Sequence, residues 1–298
     1  MSKGEKNKGH LKKSNALIIF GAVIGIALAV IFFNYYGKEK VEEIKKAEPA
    51  PSVAKLEEKP VEVETFQPLP KIIEKTKPRV AIVIDDMGQD LKQLRELLEI
   101  DIPITIAILP FLPHSKDVAE EANRKDMEIL LHIPMEPKDI KSNNPGKGSI
   151  LTTMSEDKIY DTLLKDIEAV PYIKGVNNHM GSKLTEDEAR IRIVLKAVKQ
   201  KNLFFLDSKT TAKSIAYKIA KEIGLRAAER QIFLDNEQDV SYIKKQISEL
   251  IKMAKKNGSA IAIGHPHPAT FAAIKEMASE LKSDEIEVVP VSELTGLQ

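Results

Sequence analysis

Five apolar residues in a row, Val80-Ala-Ile-Val-Ile84, run straight into two adjacent carboxylates, Asp85 and Asp86, followed by Gly88. An uninterrupted run of β-branched and small residues reads as a strand buried on both faces, the kind found in helix-covered parallel sheets. Catalytic groups of α/β folds collect at the carboxyl ends of such strands, so the aspartate pair stands where chemistry would be sited. Successive strand residues face opposite sides, so the two carboxylates are expected to diverge and take different tasks. The competing reading is an N-cap pair for a helix over 89–98.

The rest of the segment 79–298 repeats this pattern. Strands are expected at 80–84, 103–108, 127–132, 173–177, 203–206, 225–228, 260–264 and 286–289. Helices are expected between them at 89–98, 115–124, 155–169, 186–200, 212–223, 239–256 and 268–282. Ser155 is expected to cap the third helix, and Thr185 with Glu188 has the spacing of a capping box. Alternation of this kind predicts parallel strands with helical crossovers, an α/β fold. Its length suits a (β/α)7-8 barrel, since such barrels run to ~250 residues; a doubly wound open sheet is the alternative. No Gly-x-Gly-x-x-Gly follows the first strand, which weakens a dinucleotide reading. The glycine-rich Pro145-Gly-Lys-Gly-Ser149 lacks phosphate-loop spacing and is expected to line the mouth of a site.

The first 78 residues have a different character. Residues 1–14 carry Lys3, Lys6, Lys8, Lys12 and Lys13 against one acid, Glu5, and read as a basic cytoplasmic tail that also holds His10. Within 15–36, Ala16 to Phe33 is free of charge over 18 residues, against the ~17–25 needed to cross a bilayer. Tyr35 and Tyr36 follow as interfacial aromatics, and the basic flank orients the segment with its N-terminus inside. The apolar run is longer than a signal-peptide core, and no small-x-small cleavage site follows, which favours an uncleaved anchor. Residues 37–78, rich in Pro, Glu and Lys, read as a disordered linker. The expected arrangement is a single-pass protein of the inner (cytoplasmic) membrane with its domain 79–298 outside the cytoplasm.

Composition narrows the chemistry. Lys+Arg 45 against Asp+Glu 44 leaves a net charge of +1, so nothing points to a nucleic-acid partner. There is no Cys, so a metal site must be built from His, Asp or Glu. His132, His179 and His265 all follow the ends of expected parallel strands, as do Asp85, Asp86 and Asp207, and in a barrel these ends converge on one rim. Two His and one carboxylate with an open position suit Zn²⁺ or another divalent ion. A second carboxylate could take a proton from water and a further His could protonate the leaving group. His114 is expected to be structural, and the direction of His267 is left open.

The segment 79–298 resembles the divergent polysaccharide deacetylase family, a branch of the NodB-like carbohydrate esterases. The matching segments are Ile84-Asp-Asp-Met-Gly88, Ile106-Ala-Ile-Leu-Pro110, Leu131-His-Ile-Pro-Met-Glu136, Pro145-Gly-Lys-Gly148, Asn178-His-Met-Gly-Ser182, Phe205-Leu-Asp-Ser208 and Gly264-His-Pro-His-Pro268. The resemblance implies a NodB-like barrel that removes N- or O-acetyl groups from an envelope glycan, a peptidoglycan-type polymer among them. It implies Asp85 as catalytic base, His265 as catalytic acid, and Asp86 and His132 as metal ligands. The family's second His, four residues after the first, is replaced by Glu136, so the third ligand is Glu136 or, preferred here, His179. The usual Arg-x-Pro signature is replaced by Asn177-Asn178-His179. Asp207 could orient His265 or line the site; Glu136, Ser208 and Arg230 are further candidates for substrate contact. The competing function is a glycan-binding or envelope-organising protein that keeps the metal cradle. A content of 5 % aromatics without Trp argues against such a sugar-stacking platform.

Overall fold

The computed structural model describes residues 77–296. The expected basic tail and anchor, and the linker up to residue 76, lie outside the described residues, as does His10. Among the described residues no helix is long and apolar enough to cross a membrane. In chain order the elements are β1 (Arg79–Met87), α1 (Leu91–Leu98), β2 (Thr105–Ile108), α2 (Ser115–Asn123), β3 (Ile129–Met135), α3 (Glu156–Ala169) and β4 (Gly175–Met180). Then come α4 (Glu188–Gln200), β5 (Phe204–Asp207), α5 (Ala216–Glu222), β6 (Ala227–Glu229), β7 (Ile232–Phe233), α6 (Val240–Asn257), β8 (Ser259–Gly264), α7 (Pro268–Glu276), α8 (Ala278–Leu281) and β9 (Glu287–Val288). All the expected strands and helices are present; β7 is the strand the sequence pattern did not reveal.

The strands form one parallel sheet in the order β6-β5-β4-β3-β2-β1-β8-β7, with β9 beside the start of β1. The sheet is curled rather than closed. β6 and β7 lie at its opposite ends in the hydrogen-bonding order, yet only Arg230 and Gln231 separate them in sequence. Arg230 N donates to Asp207 O on β5, and Gln231 N donates to Ile261 O on β8, so two consecutive residues bridge the gap. The expected (β/α)7-8 barrel is therefore an open, curled one. Strands of three and two residues are too short to build a closing ladder, and the chain itself takes that place.

Strand alternation splits the core in two. Val80, Ile82, Ile84, Ile106, Ile108, Ile129, Leu131 and Val176 pack with helix residues such as Leu94, Leu163, Leu195 and Ile247. Their neighbours Ala81, Val83, Leu130, Phe204, Leu206, Ile261 and Ile263 form a separate cluster enclosed by the curl. A 3-10 turn at Val291–Leu294 supplies Val291 and Leu294 to this inner cluster. It is fastened at the amino ends of the strands: Val291 N donates to Thr105 Oγ1, and Arg226 donates to Ser292 O. One end of the curl is thus plugged with apolar residues, and polar chemistry is left to the other.

The caps refine the expectations. Ser155 Oγ accepts from Lys158 N, as expected. The Thr185–Glu188 capping box is absent. Asp187 caps α4 by accepting from Arg190 N, and Thr185 Oγ1 donates to Gly181 O instead. Asp90 caps α1 by accepting from Gln93 N, which leaves the Asp85–Asp86 pair free of that task.

Candidate metal centre and catalytic cleft

Extending the inner-facing series of each strand toward its carboxyl end leads from apolar to polar residues. Ala81 and Val83 continue to Asp85, Leu130 to His132, Phe204 and Leu206 to Ser208, and Ile261 and Ile263 to His265. On β4 the same face carries Asn177 and His179, whose strand neighbours are His132 and Pro134. Asp85, His132, His179, Ser208 and His265 meet around a cleft of about 460 Å³.

Asp86 breaks the alternation. The β1–β2 register shifts between Ile84 and Met87, and Asp86 takes a left-handed backbone with φ +56°, which Asp tolerates better than most residues. The expected divergence of the two carboxylates therefore fails. Both reach the same imidazole: Asp85 Oδ2 lies 3.5 Å and Asp86 Oδ1 3.2 Å from His132 Nε2. His179 Nδ1 is 2.9 Å from Asp86 Oδ1 and 3.2 Å from His132 Nε2.

These three atoms form a triangle with edges of 2.9, 3.2 and 3.2 Å. Ligands held tetrahedrally ~2.0–2.1 Å from Zn²⁺ stand about 3.3 Å apart, so the triangle fits a metal of that size. Asp86 Oδ1 is buried and has no hydrogen-bond partner. A buried carboxylate oxygen left bare between two ring nitrogens is what a cation would satisfy. Burial alone would raise the Asp86 carboxyl, but the His132 and His179 imidazoles outweigh it and hold it well below the usual carboxylate range.

Asn177, fully buried, organises this group. Its Oδ1 accepts from His132 Nδ1 at 2.8 Å, which turns His132 Nε2 toward Asp86 and His179. Its Nδ2 donates to Asp85 Oδ1 at 2.7 Å and to Ser208 Oγ at 3.3 Å. Burial pushes the Asp85 carboxyl up, against the pull of His132 and His265. Asn178 Oδ1 accepts from Ser208 N and fixes the loop after β5.

His265 is held by Asp235, a residue sequence reasoning missed. Asp235 Oδ1 lies 2.9 Å from His265 Nδ1, and Oδ2 accepts from His265 N at 2.5 Å and from Thr270 Oγ1 at 2.8 Å. Burial works against charging His265, but the Asp235 hydrogen bond and the charges of Asp85, Asp235 and Asp86 prevail and raise its pKa to about 9. Phe233 stacks on the His265 ring, and the Arg230 guanidinium lies 3.6 Å over Phe233.

The remaining candidates sit elsewhere. Asp207 does not orient His265: it accepts from Ser214 Oγ, Lys209 N and Tyr217 N. It follows the inner-facing Leu206, so alternation turns it toward the helix layer. Glu136 takes no part in the metal group. Its Oε1 pairs with Lys183 Nζ at 2.7 Å, and Oε2 accepts from Thr152 N and Oγ1. Arg230 is consumed by the carbonyls of Ser208 and Lys209 and is not among the cleft residues. The Pro145–Ser149 loop is likewise absent from the cleft wall. His114 pairs with Asp117 at 3.0 Å, a structural contact as expected.

The chain and its fold have relatives among known proteins. Residues 82–295 match the family model described as "Divergent polysaccharide deacetylase". The chain is 37 % identical over 216 residues to the Escherichia coli K12 protein YibQ, itself described as uncharacterized, covering 72 % of this chain and 67 % of that one. An uncharacterized Haemophilus influenzae protein is 38 % identical over 206 residues, covering 69 % of this chain and 73 % of that one. Among solved structures, an uncharacterized protein of Agrobacterium tumefaciens C58 superposes with a TM-score of 0.70 at 27 % identity, covering 73 % of this chain and 89 % of that one.

Proposed function

The chain belongs to the divergent polysaccharide deacetylase family, and we propose that it is a metal-dependent hydrolase that removes acetyl groups from an envelope polysaccharide. The observation that carries this reading is the bare, buried Asp86 Oδ1 between His132 and His179, on the same cleft as Asp85 and His265. Asp86, His132 and His179 would hold the ion, for which two imidazoles and a carboxylate favour Zn²⁺. When bound, such an ion supplies Lewis-acid polarisation of the acyl carbonyl and lowers the pKa of water.

The chain's own residues divide the remaining work. Asp85 accepts the proton of the attacking water at Oδ2, since Oδ1 is already bonded to Asn177. Its raised pKa makes it a stronger base than an exposed carboxylate. His265 presents Nε2 as acid, because Nδ1 is engaged with Asp235. Its proton goes to the departing nitrogen or oxygen as the acyl C–N or C–O bond breaks, giving acetate and the free amine or hydroxyl. Asn177 fixes the tautomer of His132, and Asp235 fixes that of His265. Ser208, on the cleft wall, is the sugar-contact candidate.

The basic segment 1–14, the uncharged run within 15–36 and the Pro-rich linker 37–78 support a single-pass inner-membrane anchor with domain 79–298 in the envelope, facing its glycan. A reporter fused after Gln298 should then be active only outside the cytoplasm. For the chemistry, zinc-loaded full-length protein should release acetate from N-acetylated peptidoglycan glycan. Asp85→Asn and His265→Ala should each keep their metal and lose on the order of 10²–10⁴ in rate. Full metal occupancy with no acetate from any acetylated glycan would instead favour a glycan-binding protein that keeps the cradle.

A further inference from the structure

Outside the Asp86 centre, a second pair of imidazoles converges on a carboxylate. Pro266 separates His265 from His267, and His267 N donates back to His265 O at 2.7 Å, closing a tight turn that brings both rings to one side. The ring centroids are 6.0 Å apart, against 4.9 Å for His132 and His179. His267 precedes α7 at the capping position, yet its side chain makes no capping bond. The Gln238 amide nitrogen lies 3.1 Å from His267 Nε2. Asp235, more than nine-tenths buried, supplies the carboxylate. One ligand atom from each of Asp235, His265 and His267 lies within 4.8 Å of the others, as in the Asp86 group.

We propose that Asp235, His265 and His267 form a second divalent-metal site that is loaded only when the cation is in excess. Two imidazoles and one carboxylate select borderline cations such as Zn²⁺, Cu²⁺ or Ni²⁺ over Mg²⁺ and Ca²⁺, which prefer all-oxygen shells. The site is weaker than the Asp86 centre because Asp235 already accepts bonds from His265 and Thr270, whereas Asp86 Oδ1 has no partner. A cation held there occupies the His265 lone pair, so the ring can no longer form the imidazolium that gives its proton to a leaving group. The hydrolase is thus self-limiting in excess zinc, a consequence that rests on His265 acting as the acid.

The test is calorimetric titration of chelator-stripped, full-length protein in detergent with Zn²⁺. Wild type should bind two ions per chain, the second at least tenfold more weakly. His267→Ala should bind one ion with the affinity of the tighter site, and Asp86→Ala should retain only the weaker one. Acetate release should be inhibited by excess Zn²⁺ in wild type, and His267→Ala should need at least tenfold more free Zn²⁺ for the same inhibition. A single ion in wild type, or two ions in His267→Ala, overturns the second site. Absence of acetate release from every protein overturns the hydrolase reading instead, while the stoichiometry still decides the site.

Discussion

Asn177 and His132 are direct neighbours in the β3–β4 register, and the Asn177 Oδ1 accepts from His132 Nδ1 at 2.8 Å. The strand ladder itself therefore sets which nitrogen of His132 faces Asp86. Partners of this kind raise ligand basicity and fix ring orientation, and their removal typically costs about 10–100-fold in metal affinity. Asn177→Ala should weaken Zn²⁺ binding by that order while circular dichroism stays native. It also strips Asp85 of a hydrogen bond and drives its carboxyl further up. Unchanged zinc affinity would show that the tautomer of His132 does not depend on this contact.

The third ligand can be separated from its rival by two substitutions. His179→Ala removes one corner of the triangle and should leave the protein folded but free of metal. Glu136→Ala should retain the metal. It leaves the exposed Lys183 and the half-buried Thr152 without their acceptor, at about the 0.5–1.5 kcal/mol that a hydrogen bond typically contributes. Elemental analysis alongside denaturant unfolding distinguishes them. Metal loss in the Glu136 variant with retention in the His179 variant would reverse the assignment.

Much of the site could be read from strand parity. Once 80–84, 127–132, 203–206 and 260–264 are strands, the inner series Val83–Asp85, Leu130–His132, Leu206–Ser208 and Ile263–His265 follows by steps of two. The same rule turns Asp207 outward, away from the cleft, although it too ends a strand. Three features had no such signal. Asp86 enters the site only because a bulge and a positive φ reverse its direction, and neither is a matter of periodicity. Asp235 follows a strand of two residues, too short for any pattern to show. Glu136 stands four residues after His132, which left it open as a ligand, but Lys183 and Thr152 claim it through contacts that only the folded chain creates.

The Asp235–His265 pair makes a prediction about pH. The imidazole's pKa of about 9 keeps it protonated through neutral pH, and hydrolysis should fall on the alkaline side as that proton is lost. Asp235→Asn keeps an acceptor for His265 Nδ1 and removes a negative charge. The alkaline limb of the pH–rate profile should therefore move to lower pH, with a lower maximal rate. A limb that stays in place would show that another group titrates there.

Another buried carboxylate lies away from the cleft. Asp166, on α3, is wholly buried, and neither carboxylate oxygen has a hydrogen-bond partner. It sits beneath the Pro145–Ser149 loop. Gly148 has φ +86°, and a Cβ there would stand 2.4 Å from Asp166 Oδ1, so only glycine lets the backbone pass. Burial pushes the Asp166 pKa up to about 8. Between the ordinary carboxylate range and pH 8 the folded state holds a proton that the unfolded state has released. Stability therefore falls as pH rises through that window and levels off above it. Asp166→Asn removes the titration and keeps the shape. It should stabilise the protein by a few kcal/mol at pH 8, by an amount on the order of the cited shift, and by little at pH 4. The check is urea unfolding of both proteins across pH 4–9. A difference between them that does not grow with pH would mean that Asp166 finds a partner or reaches water when it ionises.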